Sequence, residues 1–170
     1  QQLRTIPTPK SISPQQAIMP YEETRKLLAD QEKIAVTNCI CKTEHILIGQ
    51  GCGRPTENCL SFGDIAQYFV DNGLGRFIDV DEATKILESA EQNAMVLQSS
   101  NAVNVANLCS CCGCCCQVLI NLKSLPEPAK YAVSNYFATV NQEQCSGCEI
   151  CVDRCQMDAV VMDSGKALIL

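Results

Sequence analysis

Cys145-Ser146-Gly147-Cys148-Glu149-Ile150-Cys151-Val152-Asp153-Arg154-Cys155 is the most informative stretch of this 170-residue chain. Three cysteines at two-residue gaps, with a fourth after three more residues, let a chain curl around an iron–sulfide cube and turn successive thiolates inward. The same loop aims backbone N–H groups at the sulfides and so stabilises the cluster's charge. A zinc ribbon uses two separated Cys-x-x-Cys knuckles instead. The spacing assigns Cys145, Cys148 and Cys151 to a 4Fe–4S cluster and makes Cys155 a cluster ligand too, of this or another cluster, and that chemistry points to electron transfer.

Working outward, the residues that follow read as a hairpin: Ala159–Met162, a turn at Asp163-Ser164-Gly165, then Lys166–Leu170. Tyr136–Val140 reads as a strand feeding the run from the other side. From about Ala138 to Leu170 the sequence resembles the bacterial-type ferredoxin family, with the four cysteines matching that family's first motif. Gln156 stands where the family usually has proline after the fourth cysteine. In two-cluster ferredoxins the fourth cysteine serves the other cluster, and a second motif downstream completes the first. No cysteine follows Cys155 here, so the match covers only the first half of that βαββαβ fold. The resemblance therefore implies a fragment of a longer protein, or a cluster closed by Cys155 itself or by an upstream cysteine. The fragment reading is favoured, since the apolar end Ala167–Leu170 would otherwise be an unpaired strand edge.

Fourteen of the 170 residues are cysteine, above the roughly 8% at which a short chain reads as a disulfide scaffold or a metal protein. Disulfides fit poorly. Gln1–Lys10 is polar and broken by Pro7 and Pro9, unlike an apolar leader. Cys111–Cys112 and Cys114–Cys115–Cys116 are adjacent in sequence, and neighbours seldom reach the geometry of an unstrained bridge. A reducing cytoplasm, that of an anaerobe, is the expected setting. The net charge of −6 argues against nucleic acid, whose phosphates need clustered Lys and Arg. An acidic surface suits docking to a basic patch on a redox partner. No apolar stretch approaches the ~20 residues that span a bilayer.

Ten more cysteines lie upstream: Cys39, Cys41, Cys52, Cys59, Cys109, Cys111, Cys112, Cys114, Cys115 and Cys116. Cys39-Ile40-Cys41, the segment Gly51–Leu60 and the knot Cys109–Cys116 resemble elements that precede a ferredoxin domain in a group of anaerobe 4Fe–4S binding proteins of unknown function, with Lys42 in the position of that group's arginine. The resemblance implies metal binding and names no reaction. A subset of the ten is expected to hold an upstream cluster, with zinc or unligated core thiols as the alternatives. A helix start near Cys59 would lower its thiol pKa, and turn spacing in the knot would set Cys109, Cys112 and Cys115 or Cys116 on one side. His45, four residues after Cys41, reads as a solvated loop residue ahead of a ligand, and Arg54 and Arg76 as surface side chains ahead of anion binders.

The rest of the pattern is α+β. Residues 1–20, with four prolines, read as an extended arm. A Cys-rich α/β domain then covers 21–123, and a ferredoxin-like module follows a Pro-rich linker over 124–170. Expected helices cover Tyr21–Asp30, Ser61–Asp71 with the Asn72-Gly73 stop, a helix from the Asp79/Glu82 capping box to about Gln92, and Gln117–Leu122. Strands are expected at Lys33–Thr37, Gly75–Asp79 and Met95–Leu97. At least one 4Fe–4S cluster is expected, and two or more from the number of thiols. The favoured function is single-electron transfer between redox protein partners, without a substrate site of its own. A zinc- or cluster-stabilised sensor or structural module, and a cluster-bearing subunit of an anaerobic oxidoreductase, are the alternatives.

Overall fold

The computed structural model describes residues 3–6, 23–102, 104–132 and 134–170. It is a mixed α+β structure built on one antiparallel sheet. The elements run β1 (Leu3–Ile6), α1 (Thr24–Ala29), β2 (Ile34–Asn38), α2 (Ile40–Leu47), β3 (Glu57–Phe62), α3 (Gly63–Asp71), β4 (Gly75–Ile78), α4 (Val80–Gln92), β5 (Val96–Ser100), β6 (Asn107–Cys111), α5 (Gln117–Lys123), α6 (Ile150–Arg154), β7 (Val160–Asp163) and β8 (Lys166–Ile169). The large sheet has the order β1-β5-β6-β3-β2-β4, and β7 and β8 form a separate hairpin. Among the described residues no helix is long and apolar enough to cross a membrane.

The register sorts the sheet into rows. Residues opposite each other share a face, and neighbours along a strand point to opposite faces. Val36, Leu60 and Leu108 stand side by side across β2, β3 and β6. They join Ile34, Phe62 and Leu97, with Leu27 and Leu28 of α1 and Ala83, Leu87 and Ala90 of α4, in the main hydrophobic core. Asp79 caps α4, its Oδ1 accepting the Glu82 N–H at 2.7 Å, as the capping box requires. The next row along places Thr37, Cys59, Cys109 and Gln98 abreast across β2, β3, β6 and β5. One face of the sheet therefore carries the apolar core and the other carries thiols.

Several sequence expectations are corrected. Residues 40–47 form helix α2, so His45 is helical, its Nδ1–H turned to the Cys41 carbonyl at 3.0 Å. Cys59 lies inside β3 and not at a helix start. Tyr136–Val140 is irregular and belongs to neither sheet among the described residues. The extended arm expected over residues 1–20 is described only at Leu3–Ile6, which pairs with β5 as an edge strand; residues 7–22 lie outside the described residues.

Candidate metal centre

Fourteen thiols are free, and they fall into three groups. The first is compact. The sulfurs of Cys52, Cys112, Cys114 and Cys115 all lie within 4.8 Å of one another. Cys52 Sγ is 3.9 Å from Cys112 Sγ, and Cys114 and Cys115 are also 3.9 Å apart. Four thiolates at ~2.3 Å from one zinc ion form a tetrahedron with edges of roughly 3.8 Å. This cysteine group can hold a metal ion.

The chain builds the group from two loops. β6 ends at Cys111, so the following residues leave the strand and wrap in a turn that brings Cys112, Cys114 and Cys115 to one side. Cys52 arrives from the Gly-rich loop between α2 and β3. Arg54 in that loop gives Nη1 to Cys114 Sγ at 3.5 Å and Nε to the Asn93 carbonyl at 3.3 Å. It is therefore an anchored counter-charge to the thiols, at the exposed side of the group. Burial works to raise the Cys52 thiol pKa. Hydrogen bonds from the Arg54 backbone, the Cys115 and Cys114 thiols and the Arg54 guanidinium outweigh that and lower it to about 6. Cys115 is pushed up, first by burial and then by donating to Cys52. Cys109, expected alongside Cys112 and Cys115, belongs elsewhere.

The second group is wider. Cys59 neighbours Cys109, and Cys111 neighbours both Cys109 and Cys116. Cys41 in turn neighbours Cys116, and Cys39 neighbours Cys41. Cys39 lies within electrostatic reach of Cys59, which nearly closes the circuit. Cys109 is held low by the Cys111 and Cys59 thiols, and then by Asn107 and the charge of Lys42. Cys116 is held low by Cys111 and Cys41, and by the Leu119 and Val118 N–H groups of α5. Cys59 is pushed up by its bond to Cys109 and by burial, the reverse of the shift expected for a helix start.

The third group is the run 145–155, whose thiols are bonded by backbone and not by one another. Cys145 Sγ accepts the Ala167 N–H at 3.4 Å, and Cys155 Sγ accepts the Ala159 N–H at 3.3 Å. Bonds from Ala167 and Gly147 N–H lower the Cys145 thiol pKa, and bonds from Ile150 N–H and Ser146 lower that of Cys148. Gly147 has φ +72°, and a Cβ there would meet the Gly165 carbonyl at 2.5 Å, so glycine is required where the loop crosses the hairpin turn. Cys148 and Cys151 are exposed.

The first and third groups meet at Gly113 and Gln156. Gly113 N–H donates to Gln156 Oε1 at 3.0 Å. A Cβ on Gly113 would stand 2.0 Å from the Gln156 carbonyl oxygen, which no side chain permits. Gln156, noted in the sequence only as a departure from proline, is thus a docking residue. Lys123 to Asp158 at 2.9 Å and Arg154 to the Glu91 carbonyl at 2.6 Å add to the contact. No signal in the sequence paired Gly113 with Gln156, because the two are 43 residues apart.

No protein-family profile, curated protein or solved structure matches this chain.

Proposed function

We propose that this protein carries single electrons between redox protein partners through thiolate-held iron–sulfur centres. The 145–155 run provides one 4Fe–4S centre and the upstream thiols provide its neighbour. The observation that carries this reading is the Gly113–Gln156 contact, which joins a residue flanked by Cys112 and Cys114 to the residue after Cys155. Electron transfer requires close approach of rigid centres and makes no bonds, so it needs thiolates and N–H donors and no acid–base pair.

A second support is energetic. Among described residues 134–170 only Ala167 is buried. A segment of this size without an apolar core generally needs a metal to fold, and an isolated two-stranded hairpin is marginal in water. A cluster at Cys145, Cys148, Cys151 and Cys155 would supply the missing core. The net charge of −6 suits a partner with a basic docking face.

One observation favours a second reading for the compact group. Its 3.9 Å sulfur spacings match the edge of a tetrahedron around a single ion. Zinc there would act as a structural clasp, and the electron path would use the other thiols.

The test is anaerobic purification with iron, sulfide and zinc quantified per chain, followed by reductive titration. Iron and sulfide in equal amounts, about four of each per cluster, with reversible one-electron reduction, are expected. One zinc beside such clusters supports the clasp reading for the compact group. Zinc with little iron overturns electron transfer altogether.

A further inference from the structure

The compact group leaves six upstream thiols unaccounted for, and a buried cation lies against them. Lys42 is 2% exposed. Its Nζ reaches the Ser110 carbonyl at 3.1 Å and Met95 Sδ at 3.6 Å, neither of them an anion. Among the described residues no carboxylate forms a salt bridge with it. Burying an ammonium without an opposite charge is costly, so such groups are retained where an anion faces them. The sulfurs within electrostatic reach of Lys42 are those of Cys39 and Cys109, and its charge helps hold the Cys109 thiol low.

Amide donors complete the lining. Asn107 Nδ2 points at Cys109 Sγ at 3.3 Å, and Gln98 Nε2 at Cys116 Sγ at 3.8 Å. Gln98 is wholly buried and its Oε1 has no protein partner. N–H groups directed at thiolate sulfur are the outer contacts that stabilise an iron–sulfur centre and set its potential. Six thiols exceed what a single ion takes, whereas a cubane draws four thiolates from around it, each binding a different iron.

We infer that the ring of Cys39, Cys41, Cys59, Cys109, Cys111 and Cys116 is a second cluster site, in which four thiolates hold an anionic 4Fe–4S cluster and buried Lys42 balances its charge. This rests on the iron–sulfur reading above and assigns it to particular upstream residues. Lys42 is a positioning charge: it ligates nothing, and it makes the added electron less unfavourable.

The test uses the full chain produced anaerobically, with C59S/C109S, K42M, K42R and C148S variants. Iron and sulfide are counted, and each reduction step is followed by EPR during a potentiometric titration. The C59S/C109S variant is expected to lose about four irons and one reduction step, while keeping the step that C148S removes. K42M is expected to keep its iron and to move the midpoint of that upstream step downward, leaving the step removed by C148S unmoved; K42R restores the midpoint. Unchanged iron in C59S/C109S, or zinc released in place of iron, overturns the site. Retained iron with an unmoved midpoint in K42M overturns the role of Lys42. Wild-type protein holding only about four irons, all lost in C148S, refutes this inference and spares the electron-transfer reading; wild-type protein without iron refutes that reading itself.

Discussion

The upstream sheet and the segment 134–170 both present thiols, but they hold them in opposite ways. In the sheet, Cys59 and Cys109 stand abreast on paired strands, and Cys111, Cys112, Cys115 and Cys116 are buried. These thiols gather on one side of the sheet, and behind them lies an apolar core anchored by Leu60, Leu97 and Leu108. In residues 134–170, Cys148 and Cys151 are exposed, the sulfurs take backbone N–H groups, and Ala167 alone is buried among the described residues. The first region can fold by burying hydrocarbon. The second has almost none to bury, so its order must come from a metal, from docking, or from both.

The largest effect expected from this difference is the response to metal removal. Chelation under reducing conditions should abolish amide hydrogen-exchange protection across 145–169 while leaving β2, β3 and β6 protected. Mass-spectrometric exchange of both regions measures it. If the two regions lose protection together, the sheet depends on metal as heavily as the run does, and the contrast fails.

Next in size is a pair of leucines. Leu108 is fully buried in β6, and Leu168 in β8 is 45% exposed. Leu108→Ala should destabilise the protein by about 2–5 kcal/mol, through lost burial plus the cavity left behind. Leu168→Ala should stay within about 0.5 kcal/mol, as surface substitutions do. Denaturant midpoints at constant metal loading give both values, and comparable losses would mean that β8 contributes a core of its own.

The elements read correctly from sequence were those with local causes. The hairpin β7–β8 follows from alternation around Asp163-Ser164-Gly165, and α4 from Asp79 three residues before Glu82. The Asn72-Gly73 stop of α3 appears as Gly73 at φ +68°. The α2 helix was missed because Ile40, Ile46 and Leu47 are exposed, so its sequence has no buried stripe to reveal. Tyr136–Val140 has strand-forming residues but joins neither sheet among the described residues, and β propensity acts only through pairing and packing. The division of the cysteines was hidden for a related reason. Cys109 and Cys111 follow strand alternation, but the chain leaves the strand after Cys111, and from there Cys112, Cys114 and Cys115 turn to Cys52. The run 145–155 can be read from its own spacing. The upstream groups become readable only when β3, β6, α2 and the loop at Cys52 are brought together.

A smaller effect is expected where the two regions touch. Gly113→Ala would place a methyl 2.0 Å from the Gln156 carbonyl, and overpacking of this kind costs about 1–3 kcal/mol. Because the clash is with backbone, relief requires the 154–158 segment to move away from the turn. Exchange protection at 154–158 should fall while β3 and β6 keep theirs. Gln156→Ala removes only the bond to the Gly113 N–H and should do less. If Gly113→Ala leaves 154–158 as protected as before, the contact is not what joins the two regions.

The smallest effect lies on the exposed rim of the sheet, where no thiol takes part. Arg76 on β4 bridges Glu57 at 2.9 Å and Glu82 at 2.7 Å. The hydrogen bond from Arg76 lowers the Glu57 carboxyl pKa below its ordinary 4.5, against a small opposing effect of burial. A carboxylate whose folded-state pKa is lowered adds stability that is fully present above the unfolded pKa and lost as the pH falls through the folded one. All three side chains are well exposed, so solvent screens most of this contribution. Glu57→Gln should therefore sit slightly below wild type at neutral pH and converge with it in acid, once Glu57 is protonated in both folded and unfolded chains. Thiolate protonation weakens both proteins in acid alike, so the difference between the two denaturation curves isolates the ion pair. A gap that persists undiminished in acid would show that Glu57 acts through packing against β2 and β4 and not through its charge.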